Sequence, residues 1–270
     1  MSEQLMKNKR GIVMGVANEA SIAWAIAKML HSEGAQMAFT YPNDAIRKRI
    51  ESLASTINSD SPIIKCDVAQ DGDIANAFAE VHKQFCAIDF VLHAIAFSDR
   101  SQLTGRYINT TRENFLNTMN ISCFSLTDIC KEACTIMPCG GSILTLTYLG
   151  SNRVIPHYNV MGVAKAALES SVRYLAADLG PQNIRVNAIS AGTMRTAASS
   201  GIGDFHYIMH WNKNNSPLRR NISADEIGKS GLYMLSDLSS GVTGDIHYVD
   251  CGYNIIGMKA VEASDIVIER

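Results

Sequence analysis

The sequence predicts an α/β protein: one doubly wound domain over residues 1–270, with about seven parallel strands and helices on both faces of the sheet. Three observations predict it. Short apolar runs alternate with longer segments of helical periodicity along the whole chain. Most of the runs are apolar throughout rather than at every second residue, as strands buried on both faces are. No internal repeat, low-complexity tract or linker divides the chain.

The elements follow in order. Strands are expected over 11–17, 36–41, 62–68, 90–97, 142–148, 185–190 and 245–249. Between them, 21–32 puts Ile22, Ile26 and Met29/Leu30 on one helical face, and 73–84 follows a capping Asp71. The long helix 111–137 stops at Pro138 and Gly140-Gly141, and 158–179 stops at Gly180-Pro181. A last helix, 224–235, precedes the final strand. From 191 to 222 there is no clear strand, and Gly, Ser, Asn and Thr are frequent. So long a loop inside an α/β domain is usually a lid or binding segment, and it follows a strand's C-terminal end, where open sheets bind ligands. A lid over about 193–222 is expected.

Composition narrows the function. With 47% hydrophobic and 19% charged residues the chain can bury a large core, and a net charge of −2 gives no electrostatic case for nucleic acid or an anionic membrane. No run of about 18 apolar residues promises a membrane span. The first eight residues place no apolar stretch behind their charges, so no signal peptide is expected. The 7 cysteines form no CxxC pair and none has a histidine at zinc-ligand spacing, so no metal is expected. They read as reduced, mostly buried thiols in a cytoplasmic protein.

Two places could carry chemistry. Gly15 ends the first strand and Ser21 opens the first helix, in the βα turn where a nucleotide pyrophosphate would meet free helix amides. The full GxGxxG fingerprint is absent, and a tight turn needs Gly15 with or without a ligand. After the second strand, Thr40-Tyr41-Pro42-Asn43-Asp44 lacks the expected acid for a ribose 2′-hydroxyl, and the turn itself holds no Arg or Lys for a 2′-phosphate. Arg47, Lys48 and Arg49 read as a solvated helix face, so NADH is favoured over NADPH. The second place is Tyr148, Tyr158 and Lys165. Tyr158 and Lys165 are seven residues apart, two helical turns, and share one face about 10 Å apart along the axis. A cation facing a phenol would lower the tyrosine pKa and make it a better donor to an oxyanion. A surface tyrosine and an unconnected helix lysine would give the same spacing. Tyr148 ends a strand, aimed at the same crevice.

These residues sit in a pattern that resembles the enoyl-[acyl-carrier-protein] reductases of type II fatty-acid synthesis, a divergent branch of the short-chain dehydrogenase/reductases with a Rossmann-type fold. The resemblance runs from about Gly11 to Gly257. It rests on Gly15-Val16-Ala17 with Ser21-Ile22-Ala23, Phe39-Thr40-Tyr41, Cys66-Asp67-Val68-Ala69, Leu144 to Gly150, Tyr158 to Ala166, Arg185 to Gly192, Arg195-Thr196 and Val249-Asp250. Ordinary short-chain dehydrogenases place Tyr four before Lys; here that residue is Met161, and the tyrosine stands at the wider spacing of the enoyl reductases.

The resemblance implies roles. Gly15, Ser21 and Ile22 would hold the pyrophosphate, Asp67 and Val68 would border the adenine, and Ile95 would lie near the ribose. Lys165 would bind the nicotinamide ribose and tune Tyr158. Met194, Arg195, Thr196, Ala197 and Ala198 would cover the nicotinamide and phosphates. Ser98, Tyr148, Tyr158, Ile202 and Phe205 would meet the substrate, an enoyl thioester on acyl carrier protein, with Ile208 also over the acyl chain. The implied reaction delivers hydride from NADH to the β-carbon while Tyr158 stabilises the enolate. A homotetramer is implied, with helices 111–137 and 158–179 at an interface.

The chain departs from the family's pattern at Pro42, at Ala96 within His93 to Ser98, and at Thr193, which replaces a frequent proline and suggests a looser lid hinge. Gly203, His206 and Tyr207 occupy places where relatives carry lid cations, leaving Lys213, Arg219 and Arg220 for carrier docking or as plain loop charges. Residues 258–270 extend past the usual end, to fray or to pack on a neighbouring subunit. Two other readings stay open: a carbonyl or alcohol reductase of the ordinary short-chain type, and a non-catalytic nucleotide-binding protein of the same fold.

Overall fold

A computed structural model of the chain describes residues 4–196, 199 and 204–263. Seven parallel strands form one sheet in the order β3-β2-β1-β4-β5-β6-β7. They are β1 (Arg10–Met14), β2 (Gln36–Tyr41), β3 (Ile63–Lys65), β4 (Phe90–His93), β5 (Gly141–Thr147), β6 (Ile184–Ala191) and β7 (Ile246–Val249). The helices are α1 (Ile22–Ser32), α2 (Asp44–Ala54), α3 (Asp73–Phe85), α4 (Arg112–Met119), α5 (Ser125–Thr135), α6 (Asn159–Leu179), α7 (Phe205–Asn215) and α8 (Ala224–Leu235).

The apolar strands are buried on both faces, as their composition requires. In β1, Ile12 and Met14 join the core beneath α3, α5 and α6, while Val13 points into the core beneath α1, α2 and α8. β6 repeats this with Val186 and Ala188 on the first side and Ile189 and Ala191 on the second. Alternate side chains of a strand leave on opposite faces, so a strand between two helix layers has no polar face to offer.

The helix starts obey local chemistry, with one correction. Thr111 accepts from the Asn114 amide before α4, and Ser223 with Glu226 closes a capping box before α8. Asp71 does not cap α3. Gly72, at φ 83°, takes that position without a side-chain bond, and the Asp73 carboxylate accepts from the Asp67 amide instead. The expected helix 111–137 is continuous from 112 to 135 but contains a π-helical turn, Asn120–Phe124, between α4 and α5. Strands β1, β3 and β4 are shorter than expected; the apolar residues beyond their C-terminal ends leave the sheet as loops.

That departure makes the crevice. β1 lies between β2 and β4, so the chain's direction of travel across the sheet reverses there, and the loops after β1 and β4 part. Ligands of doubly wound sheets bind at this switch point. The loops after β5 and β6, and α7 beyond them, close the same end.

Candidate active site

Gly15 adopts φ 96°, and a Cβ there would stand 2.0 Å from the Ala94 carbonyl oxygen. The first turn is therefore drawn against the end of β4 as closely as backbone can approach, and only glycine permits it. Ser21 is the residue before α1, but its hydroxyl turns back to accept from the Ala17 and Asn18 amides, 3.1 Å each. It shapes the loop instead of capping the helix, which leaves the first-turn amides at Ile22 directed at the crevice. This cradle, emptied of side chains at its narrowest point, fits a pyrophosphate.

The neighbouring turns are self-contained. Asp67 accepts from the Ala69 amide at 3.0 Å, so its carboxylate folds its own loop, with Val68 packed against the core behind it. Ile95 also packs on that core, while Ala96 is exposed. Arg47 is held by Glu51 at 2.8 Å and sits 5.7 Å over the Tyr41 ring. Both side chains of this i,i+4 pair are about half exposed, so Arg47 lies on a solvated face of α2. Ser98 is buried and takes hydrogen bonds from Thr118 and Asn114 at 3.0 and 3.1 Å, which pins the loop after β4 to α4. Its oxygen is committed to the fold, so its bearing on a substrate is through the loop it fixes.

Lys165 is buried on α6, whereas Tyr158, also buried, stands just before the helix with Asn159 at φ 43° after it, so the two do not share a helical face as the spacing predicted; Tyr158 packs with Leu103, Val160 and Met161. Room for the phenol ring comes from Gly150: a Cβ there would sit 2.3 Å from Tyr158 Cδ1. Tyr148 meets Tyr158 edge-on, with ring centroids 5.0 Å apart and planes at 72°. Lys165, 6% exposed, donates from Nζ to the Leu146 carbonyl at 2.8 Å, which brings the ammonium to the end of β5. Burial lowers its pKa to about 8, partly offset by Cys123 and Glu169. Glu169 in turn accepts from Thr147 at 2.6 Å.

The expectation that Lys165 lowers the Tyr158 pKa is not met. Burial pushes that phenol above its ordinary value, Tyr148 and Glu169 add to the rise, and Lys165 is not among the causes. Tyr158 is thus firmly protonated, and its hydroxyl has no hydrogen-bond partner among the described residues. A protonated, unclaimed phenol is a donor awaiting an oxygen.

Two features escaped the sequence. His93 is wholly buried, with Nδ1 2.8 Å from Thr145 Oγ1 and Nε2 2.9 Å from Ser125 Oγ; burial lowers its pKa to about 3 and keeps it neutral. The lid contains α7, whose Asn212 donates to Thr193 Oγ1. Thr193, where relatives often carry a proline, is therefore tied to the lid helix. Met194 packs on the core of the α1 face, Arg195 is exposed with Nη2 3.5 Å from His206 Nδ1, and the Thr196 amide donates to Ser199 at 2.8 Å. Phe205 is half-buried at the start of α7 and Ile208 is buried along it. Ala197, Ala198, Ile202 and Gly203 lie outside the described residues. Arg219 and Arg220 pair with Glu262 and Glu226. The tail as far as residue 263 returns to its own chain, where the Ala260 amide donates to Asn215.

Fold and site together define a nucleotide-binding reductase of the short-chain dehydrogenase/reductase class, with a buried tyrosine–lysine pair at the sheet's switch point. A family model described as "Enoyl-(Acyl carrier protein) reductase" matches residues 15–254. The chain belongs to that family. It is 57% identical to "Enoyl-[acyl-carrier-protein] reductase [NADH] 1" of Rhizobium meliloti (strain 1021), over 98% of this chain and 97% of that protein. The crystal structure of the Anaplasma phagocytophilum enoyl-(acyl-carrier-protein) reductase in complex with NAD is 50% identical, covers 98% of this chain and 99% of its own, and superposes with a TM-score of 0.93. The Bacillus cereus enoyl-acyl carrier protein reductase, solved with NADP+ and indole naphthyridinone, is 46% identical, covers 94% and 100%, and gives 0.92.

Proposed function

We propose that the chain reduces the 2,3 double bond of trans-2-enoyl thioesters carried on acyl carrier protein, using NADH, as the last step of a fatty-acid elongation cycle. The observation that carries this reading is the state of Tyr158: buried, protonated and without a partner for its hydroxyl among the described residues.

When bound, NADH supplies a hydride to the β-carbon of the enoyl thioester. The π electrons then move toward the thioester oxygen, and Tyr158 donates a hydrogen bond to the enolate oxygen as charge develops there. A proton from Tyr158 or water completes the α-carbon. One such donor contributes about 3 kcal/mol, or roughly a hundredfold in rate. Lys165 holds the nicotinamide ribose hydroxyls, the Gly15–Ser21 turn and the start of α1 hold the pyrophosphate, and α7 covers the acyl chain. Met194, Arg195 and Thr196 would border the phosphates and nicotinamide in this reading.

The test is turnover of Tyr158→Phe. We expect kcat to fall about a hundredfold with NADH affinity within twofold of the wild type. Unchanged turnover refutes the role. Oxidation of NADH with crotonyl thioesters but not with ketones separates this activity from an ordinary carbonyl reductase. Running both cofactors tests the preference for NADH, which the absence of an Arg or Lys in the Thr40–Asp44 turn supports.

We further propose a cytoplasmic homotetramer. No helix among the described residues is long and apolar enough to cross a membrane, and the free cysteines fit a reducing compartment. Leu116, Phe124 and Tyr174, on α4, the π turn and α6, are 60%, 56% and 74% exposed, which supports contact through those helices. Light scattering after size exclusion, reporting a monomer, would overturn the assembly.

A further inference from the structure

Tyr158 stands between two residues in an unusual backbone state. His157 has φ 60° and Asn159 φ 43°, the left-handed region that residues with a side chain seldom occupy, although asparagine tolerates it better than most. Such strain persists where surrounding contacts hold it. Here both flanking side chains are tied to other parts of the fold. His157 Nε2 lies 2.9 Å from Asp204 Oδ2 at the start of α7, with both side chains partly solvated. Asn159 makes the less exposed tie: its Nδ2 donates to the Gln102 carbonyl at 3.1 Å, with the Gly105 carbonyl at 3.5 Å.

The loop that receives Asn159 is itself fixed. Gln102 Nε2 donates to Thr111 Oγ1 at 2.9 Å, and the Thr111 amide donates to Gln102 Oε1 at 3.0 Å. The residue whose carbonyl Asn159 uses is therefore clamped to the start of α4. A little earlier in the loop, the Asp99 amide donates to Asn114 Oδ1 at 3.0 Å, a second clamp to the same helix. The next residue, Leu103, is buried against Tyr158 with Val160 and Met161. One loop thus meets Tyr158 twice, through an apolar side chain on the ring and through a hydrogen bond to the adjoining residue. α6 does not supply this placement, because Asn159 interrupts the helical path between Tyr158 and Lys165.

We propose that Asn159 and Gln102 are positioning residues that hang Tyr158 from the loop after β4, and through it from α4, so that the phenol is aimed independently of the helix that carries Lys165. Asn159 acts through the backbone beside Tyr158, and Gln102 through the carbonyl that Asn159 holds. The inference rests on the enoyl-reductase reading, because it is the enoyl substrate's oxygen that Tyr158 must meet.

The experiment is a double-mutant cycle on kcat for a crotonyl thioester, with NADH affinity measured separately by fluorescence. Asn159→Asp keeps the size of the side chain and its tolerance of a positive φ, but has no hydrogen to donate to the Gln102 carbonyl. Asn159→Gly relieves the backbone and removes the amide altogether. Gln102→Ala frees the carbonyl from α4. We expect each single variant to lose about tenfold in kcat, with NADH affinity within about twofold of the wild type. Asn159→Gly combined with Gln102→Ala should lose no more than the larger single, because both break one linkage. Gln102→Glu, whose carboxylate can accept from both the Thr111 amide and the Thr111 hydroxyl, should keep most of the activity. Losses that multiply in the double variant, an Asn159→Gly enzyme as active as the wild type, or NADH affinity that falls in step with kcat overturn the proposal. If Asn159→Asp does not fold, Asn159→Gly, free of the strain, decides by the same outcomes. A wild-type enzyme inactive on crotonyl thioesters would instead refute the underlying function, a result distinguishable from an active enzyme indifferent to residue 159.

Discussion

Raising the pH should loosen NADH binding through one lysine. Lys165 is buried at the foot of the crevice, and burial lowers its pKa to about 8 from an ordinary 10.5. A group with that pKa is roughly 90% charged at pH 7 and about 10% charged at pH 9. The charged ammonium is the form that binds ribose hydroxyls strongly: a hydrogen bond to a charged group contributes about 1.5–3 kcal/mol, a neutral one about 0.5–1.5. The difference of about 1.4 kcal/mol corresponds to a tenfold change in Kd. We expect the NADH Kd, followed by cofactor fluorescence, to be constant below about pH 7 and to rise roughly tenfold with a midpoint near 8. Lys165→Met should show no such step and sit at or above the upper plateau. Stability should move the other way. Between about pH 8 and 10.5 the unfolded chain holds a proton on Lys165 that the folded chain has shed, so stability gains about 1.4 kcal/mol per pH unit from this group over that window. A wild-type Kd that is flat from pH 6.5 to 9.5, or an unchanged pH step in Lys165→Met, would refute the reasoning.

Other perturbations follow from the same geometry. Gly150→Ala places a methyl 2.3 Å from Tyr158 Cδ1, so the ring must move; kcat should fall at least tenfold while NADH affinity changes less than twofold in steady-state and binding measurements. His93 is wholly buried and neutral with a pKa of about 3. As pH falls from 6.5 the unfolded chain takes up a proton the folded one refuses, so urea titrations should show a loss of about 1.4 kcal/mol per unit that His93→Gln lacks. Asp204 meets His157 Nε2 at 2.9 Å, joining the start of α7 to the residue before Tyr158. Both side chains are partly solvated, so Asp204→Asn should cost under about 0.5 kcal/mol in stability while raising KM for the enoyl thioester a few fold. A change confined to melting temperature would count against that link.

Where local chemistry decided an element, the sequence was enough to find it. The expected bounds 36–41 and 224–235 coincide with β2 and α8, the first ended by Pro42 and the second opened by the Ser223–Glu226 box. Where apolar character outlasted an element, it was not. Ala94 to Phe97 reads as more of β4, yet β4 ends at His93, whose ring is bonded to β5 and α5. Hydropathy cannot tell a residue in a sheet from one lining the crevice beside it. α7 was hidden differently: its asparagines at 212, 214 and 215 are poor helix formers, and two of them are buried, so neither propensity nor amphipathic pattern marks it.

The candidate site divides along the same line. The helical spacing expected of Tyr158 and Lys165 is not what places them, because Tyr158 stands just before α6 and Asn159, at φ 43°, breaks the helical path between the two, so what the sequence made visible was the pair of residue types and not their geometry. The reason the pair works was not visible either, because it depends on partners far along the chain. Proximity to a cation would have made Tyr158 more acidic, but the fold spends the lysine on the Leu146 carbonyl and leaves the phenol desolvated. A desolvated phenol is a poor acid and keeps its proton, so stabilising an enolate by hydrogen bonding requires no prior change of protonation state. The lysine bears the cost of burial and retains enough charge near pH 7 to grip a ribose. The two residues are therefore better understood as independently tuned by the same wall of β5 than as an acid activated by its neighbour, which is why the pH dependence is expected in cofactor affinity and not in the phenol.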